Sequence, residues 1–520
     1  MSYDSLGLRK KLKRVSLTIY MLIFGSIISF SLFSQAENSP SETVSDKHSQ
    51  SPFDAVKGKK EDLSKRDEFS KHYINEDGSY TALIGAGPIH YEKAGQFLDI
   101  DHSITIVTDP SGTYSHANKT NLFESYFGAT SNKGVKNKTN EGELREFLNT
   151  KMYWEVNGQA TNTIASSDVP VSIDNDKAYY NGLFGNISAE FITLTGKRKL
   201  NYVISSAQDL GNIPVGAEYL VFTEDVELPN NWTHSVREQG VYLLSSTGEE
   251  VYLYENPSST DATQELTTEV NTIFETEVNG SVLTIKTKVK TEWLLDGERE
   301  FPVKVDPTVN FTATFLLSIY DDGFIEASGF YFGRNAGYWL RTFATYDLSS
   351  IPGSSILNSV TSNVNLTSNY GYNAANALRI RNGLDPSVNS GTALYNSANT
   401  DLSNNLGISS LGWKVLTLNA AGNIYVQNAF GGNVHLTFAP AGSYVTPNYY
   451  TISSVPYLRI DYTIPSTPPI CATFISPQNG INDAAHSGSL TWEPVSGAES
   501  YDVYFGTSPT PPLVSTSQTG

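Results

Sequence analysis

From Tyr73 to Ile464 the chain is written largely in period two. Short runs of alternating apolar and polar residues are broken by Gly, Asn, Asp and Pro, and no long amphipathic helix competes with them. Such runs make strands with one buried face, so the chain is expected to be all-β. With 520 residues it is too long for one core, and the expectation is a multi-domain β-sandwich. The clearest hairpin is 273–289, where Asn279-Gly280 supplies the left-handed conformations a two-residue turn needs. Further hairpins are expected about Asp77-Gly78, Gly95, Gly196 and Thr247-Gly248. Residues 143–148 read as a helical turn or two.

The punctuation also divides the chain. Residues 1–36 read as a secretory signal, with basic Arg9-Lys-Lys-Leu-Lys-Arg14, an apolar run at 15–33 and small residues at Ser34-Gln35-Ala36. Uncleaved, the run is long enough to anchor in a membrane. Residues 37–67 are polar and are expected to be a disordered linker. A first β-rich domain is expected over 68–306. It closes on Glu298-Arg-Glu-Phe-Pro-Val-Lys-Val-Asp-Pro-Thr-Val309, where Pro302 and Pro307 bracket a short alternating strand. Residues 308–465 are low in charge and rich in Asn, Ser and Tyr. Strands at 339–346, 356–366, 413–418, 433–438 and 457–464 make this region a jelly-roll-like sandwich, with a short helix at 419–430. A Pro-rich linker follows at 466–476, then a last domain at 477–520.

Composition removes several functions. A net charge of −19 argues against a basic nucleic-acid footprint. The one cysteine, Cys471, cannot form an internal disulfide, and nothing beside it in sequence would activate a thiol. Eight scattered histidines include no His-Glu-x-x-His, and neither Gly-x-Ser-x-Gly nor a P-loop is present, so no enzyme is expected. Asp174-Asn-Asp176 begins like an EF-hand, but Tyr179 stands where the loop needs Gly. Asp99 and Asp101 flank Ile100 and read either as a carboxylate pair or as an exposed strand face. Asp321 and Asp322, before Gly323, are the candidate metal ligands; no cofactor is expected, a structural calcium is the one that these residues could serve, and a plain turn suits them better. Tyr370, Tyr372, Tyr449 and Tyr450 suit a sugar-stacking surface or strand packing.

Three stretches carry a family resemblance. Tyr80-Thr-Ala with Pro88-Ile-His-Tyr and Gly95-Gln-Phe-Leu-Asp-Ile-Asp101 is the first. Glu218-Tyr-Leu-Val-Phe is the second, and Trp293-Leu-Leu-Asp-Gly-Glu-Arg-Glu-Phe-Pro-Val-Lys-Val-Asp-Pro-Thr308 is the third. Together with Tyr346-Asp-Leu-Ser-Ser-Ile-Pro352 and Pro456-Tyr-Leu-Arg-Ile-Asp-Tyr462, they resemble secreted bacterial proteins of the DNRLRE-domain group over most of residues 70–465. The resemblance implies a large surface or wall-associated protein whose jelly roll looks like that of carbohydrate-binding modules. Trp492, Pro494, Ala498 and Tyr501-x-Val-Tyr504 resemble a fibronectin type III domain, expected to be incomplete at Gly520. The expected function is therefore a non-enzymatic, secreted or cell-surface modular protein for adhesion or display. Its expected partners are glycans or other surface proteins, with membrane contact only through the N-terminal segment. The alternative is the carbohydrate-binding portion of a larger secreted polysaccharide-degrading enzyme.

Overall fold

A computed structural model describes residues 51–518 apart from 238–239, 264–269, 312–315, 327–328, 372, 385–390, 453–454, 466–471, 478–480, 483–487, 494, 496–499 and 509–510. The expectations for the signal segment, Tyr372, Cys471, Pro494 and Ala498 lie outside the described residues. The protein is all-β, with 54% of the described residues in strands and 8% in helices. It divides after Thr463 into two compact units.

In the larger unit a nine-stranded and a ten-stranded antiparallel sheet face each other as a sandwich. Period-two alternation builds its interior. Along Tyr219–Glu227, Leu220, Phe222 and Val226 point inward; along Lys197–Ile204, Leu200, Tyr202 and Ile204 do. The apolar side chains form two clusters. One is centred on Phe147, Tyr180, Phe191, Tyr202 and Phe222, the other on Trp232, Tyr252, Leu283 and Val309. Two expected turns take their conformation from the residues named. Ala94 and Gly95 have φ of 50° and 77°, and Gly280 has φ of 63°. The second turn is shifted by one residue, because Asn279 pairs with Val282 and leaves Gly280-Ser281 as the loop.

Residues 143–148 are not helical. They begin the 14-residue strand Glu143–Val156, which pairs with Val135–Lys138 and then Tyr219–Glu227. Phe147 and Asn149 take positive φ there and shift the register, so the alternation breaks and imitates a helical spacing.

Among the described residues, eleven strands from Leu316 onward belong to a fourteen-stranded sheet that curls on itself. The long strand Ile356–Tyr370 makes the turn. Its first half pairs with Tyr457–Thr463 and its end with Asn448–Ile452, with a register shift between Leu366 and Ser368. The expected helix is Ala420–Gln427, capped by Asn419, whose Oδ1 accepts from the Gly422 amide at 2.9 Å.

This sheet does not close on residues 308–465 alone. Strands Lys60–Glu61, Ser70–Ile74 and Tyr80–Gly85 complete it, with Tyr80 opposite Tyr462 and Gly85 opposite Tyr457. The division expected at 68 therefore falls inside a sheet, and residues 51–67 are not a disordered linker. Ser51 caps a 3-10 turn at Pro52–Val56, Asp62 caps another at Leu63–Lys65, and Arg66 pairs with Glu61 at 2.7 Å. The reason is edge closure. Without Tyr80–Gly85 the strand Tyr457–Thr463 would present an open row of backbone donors and acceptors. A fragment of 308–465 is accordingly expected to be aggregated, whereas 51–463 folds. Size-exclusion chromatography of the two separates these outcomes, and a monodisperse, β-rich 308–465 would contradict the assignment.

Among its described residues the smaller unit has two short antiparallel pairs, Phe474–Ser476 with Thr491–Trp492 and Tyr501–Tyr504 with Leu513–Gln518. Trp492 meets the Tyr501 ring edge-on at 5.4 Å, and the Tyr501 hydroxyl accepts from the Val495 amide at 2.7 Å.

Candidate functional site

One pocket of about 240 Å³ opens in the larger unit where the curled sheet meets the sandwich. Phe53 comes from the 3-10 turn Pro52–Val56, Trp413 from the strand Gly412–Thr417, and Tyr457 from Tyr457–Thr463. Phe53 meets Tyr457 edge-on at 5.1 Å, and Trp413 lies 6.2 Å from Tyr457. Pro88, Ile89, Ile100 and Val455 fill the apolar wall. The polar groups come from the sandwich. His102 Nε2 and Thr195 Oγ1 lie 3.0 Å apart, Thr195 sitting on the turn between Ile187–Leu194 and Lys197–Ile204. Burial lowers the His102 pKa, so the imidazole is neutral at pH 7 and can both donate and accept. Three aromatic side chains around a small volume, with a hydroxyl and an imidazole among the lining, suit a ring that is apolar on its face and polar at its rim.

The sequence candidates lie elsewhere. Asp99 and Asp101 do not act together. Asp99 takes Lys71 at 2.8 Å, Arg66 at 3.1 Å and His90 Nε2 at 3.2 Å; Asp101 accepts from the Ser103 amide and hydroxyl at 2.9 and 2.7 Å. Against the cost of burial, the Lys71 hydrogen bond and the charges of Lys71 and Arg66 hold Asp99 below its usual range. Asp321 and Asp322 sit in a turn before Gly323, where Asp322 Oδ1 accepts from the Phe324 amide at 2.9 Å. Among the described residues no cluster of three or more His, Cys, Asp or Glu is placed to hold a metal. Tyr449 and Tyr450 are buried; Tyr370 stacks on Tyr449 at 5.5 Å and is itself half-buried. These tyrosines pack the curled sheet.

Two sets of buried charges escaped sequence reading. Inside the sandwich, between its apolar clusters, Arg198 pairs with Glu146, which also accepts from the Asn137 amide and the Tyr254 hydroxyl. Arg198 donates to Asn137 Oδ1 at 3.0 Å, and Ser125 to the same oxygen at 2.5 Å. Glu224 stands in this layer too. Burial first, then the nearby Glu146 charge, pushes its carboxyl up to about 8. On the opposite face of the ten-stranded sheet, Lys199 pairs with Asp306 at 2.6 Å and Lys304 with Glu190 at 2.7 Å. In sequence each of these looks like an ordinary exposed charge on a strand, and only burial distinguishes it. No protein-family model and no curated protein matches the chain.

Proposed function

We propose that the chain is a non-enzymatic, secreted or surface-displayed binding scaffold, and that its pocket takes a sugar ring of a partner glycan. The pocket at Phe53, Trp413, Tyr457, His102 and Thr195 is the observation that carries the reading. Its volume is below the roughly 300 Å³ of a drug-sized site and suits one ring, with the rest of a chain outside. Scaffold use is supported by a larger unit whose N-terminal strands and last strand lie side by side in one sheet. Lys60 pairs with Ile74, Ile74 with Tyr80 and Tyr80 with Tyr462, so Lys60 lies three strand spacings, about 15 Å, from the strand on which the larger unit ends.

Glycan-array binding of the secreted protein, followed by Trp413→Ala, tests the reading. A glycan that binds the parent should bind the variant at least about tenfold more weakly, the loss of one buried aromatic contact. Equal binding by both, with the variant folded, would remove the pocket from the account. Retention on insoluble polysaccharide instead of soluble glycans would favour the carbohydrate-binding portion of a degradative enzyme.

A further inference from the structure

Three neighbouring strands of the ten-stranded sheet bring a lysine, an asparagine and a glutamate together out of water. Lys197 lies directly opposite Asn310 in the pairing of Lys197–Ile204 with Thr308–Asn310. Thr308–Asn310 pairs on its other side with Glu250–Glu255. Arg198, Val309 and Tyr254 face the sandwich interior, so alternation turns Lys197, Asn310 and Glu255 to the other face. All three are buried, at 3%, 4% and 0% exposure. Lys197 Nζ is 2.6 Å from Glu255 Oε1, and Asn310 Nδ2 donates to the same oxygen at 3.0 Å. Glu255 Oε2 is buried without a hydrogen-bond partner among the described residues.

An ion pair alone does not require a carboxamide on the same carboxylate oxygen. We propose that Lys197 and Asn310 are the two ends of an intramolecular amide bond, formed with Glu255 as the proton carrier. The Glu255 carboxylate takes one proton from the Lys197 ammonium. The neutral amine then attacks Asn310 Cγ, whose carbonyl electron pair moves onto oxygen. Glu255 hands its proton to Nδ2 and takes one from the attacking nitrogen. The oxygen electron pair returns and the Cγ–Nδ2 bond breaks. Ammonia leaves, carrying the last proton as ammonium and restoring the carboxylate. A lysine ammonium and a carboxamide thus become a secondary amide and ammonium, with no oxidant or co-reactant. Burial keeps competing water away from the reacting groups. It also raises the Glu255 carboxyl, which can then hold the proton while the amine attacks. The product would join adjacent strands covalently and resist peeling of the sheet.

Tryptic digestion and mass spectrometry of the full chain test this. A blocked Lys197 leaves residues 178–198 uncut, joined to residues 305–334 in one branched species. That species should be lighter than its two parts by about 17 Da, one ammonia. In Glu255→Gln the parts should appear separately, with circular dichroism reporting the fold. The wild-type reading needs no variant and decides by itself. Unlinked peptides, with cleavage after Lys197, would overturn the proposal. So would a bridge between Lys199 and Asp306, recognisable by loss of water, about 18 Da.

Discussion

Arg198→Met should lower the stability of the larger unit by about 3–5 kcal/mol, the cost of leaving a buried charge without its partner. Arg198 is 1% exposed and is bound to Glu146 within an apolar interior. Methionine keeps most of the volume, so the loss reads charge rather than a cavity. Two carboxyls, Glu146 and Glu224, would then share the layer with no cation, and Tyr254 and Asn137 would remain aimed at one of them. Adding Glu146→Leu and Glu224→Leu should restore most of the stability, because well-packed apolar replacements of a buried ionic cluster are near neutral or better. Urea midpoints followed by tryptophan fluorescence measure both, and a single variant as stable as the parent would show that the layer is hydrated.

A pH profile should give the second large effect. Glu224 has a folded pKa of about 8 against an ordinary 4.5, with Glu146, Arg198 and Asp225 as its charged neighbours and Tyr202 and Tyr254 close by. The folded state therefore holds the proton more tightly. Stability falls as pH rises from 4.5 and stops falling above 8. Burial pushes His72 and His90 the other way, down to about 4 from 6.5, so they destabilise the fold as pH falls through that range. The two trends overlap between pH 4.5 and 6.5, and Glu224 acts clear of these histidines from 6.5 to 8. Over that interval it should account for a loss of about 2 kcal/mol. Glu224→Gln, a permanently neutral mimic, should make the fall over this interval shallower by that amount and be more stable than the parent above pH 8. The raised Glu255 carboxyl adds a fall of the same sign, which Glu224→Gln leaves in place. Identical slopes for parent and variant would rule Glu224 out as the source.

Strand positions were legible because alternation and turn residues are local. The Asp77-Gly78, Gly95 and Gly196 turns formed where those residues stand. The misreading at 143–148 has a local cause as well, two residues of positive φ that break the alternation in a strand. The pocket was not legible. Trp413 and Tyr457 read as strand residues, Phe53 lay in a segment too polar to be expected to fold, and His102 had no neighbour in sequence to suggest a role. The residues with the most suggestive chemistry in sequence, Asp99, Asp101, Asp321 and Asp322, ended in turns and surface ion pairs.

By itself the sequence determined that this protein is a β protein built from hairpins, because period and turn chemistry act within a few residues. Tertiary structure alone decided that residues 60–85 extend the sheet past Tyr457–Thr463 and cover that edge, because the demand for a strand edge partner is met across nearly 400 residues of chain. It also decided which charges are buried. Arg198, Glu224, Lys197 and Glu255 are ordinary letters in an alternating strand until a facing sheet or a covering face removes the water, and desolvation gives them their chemistry.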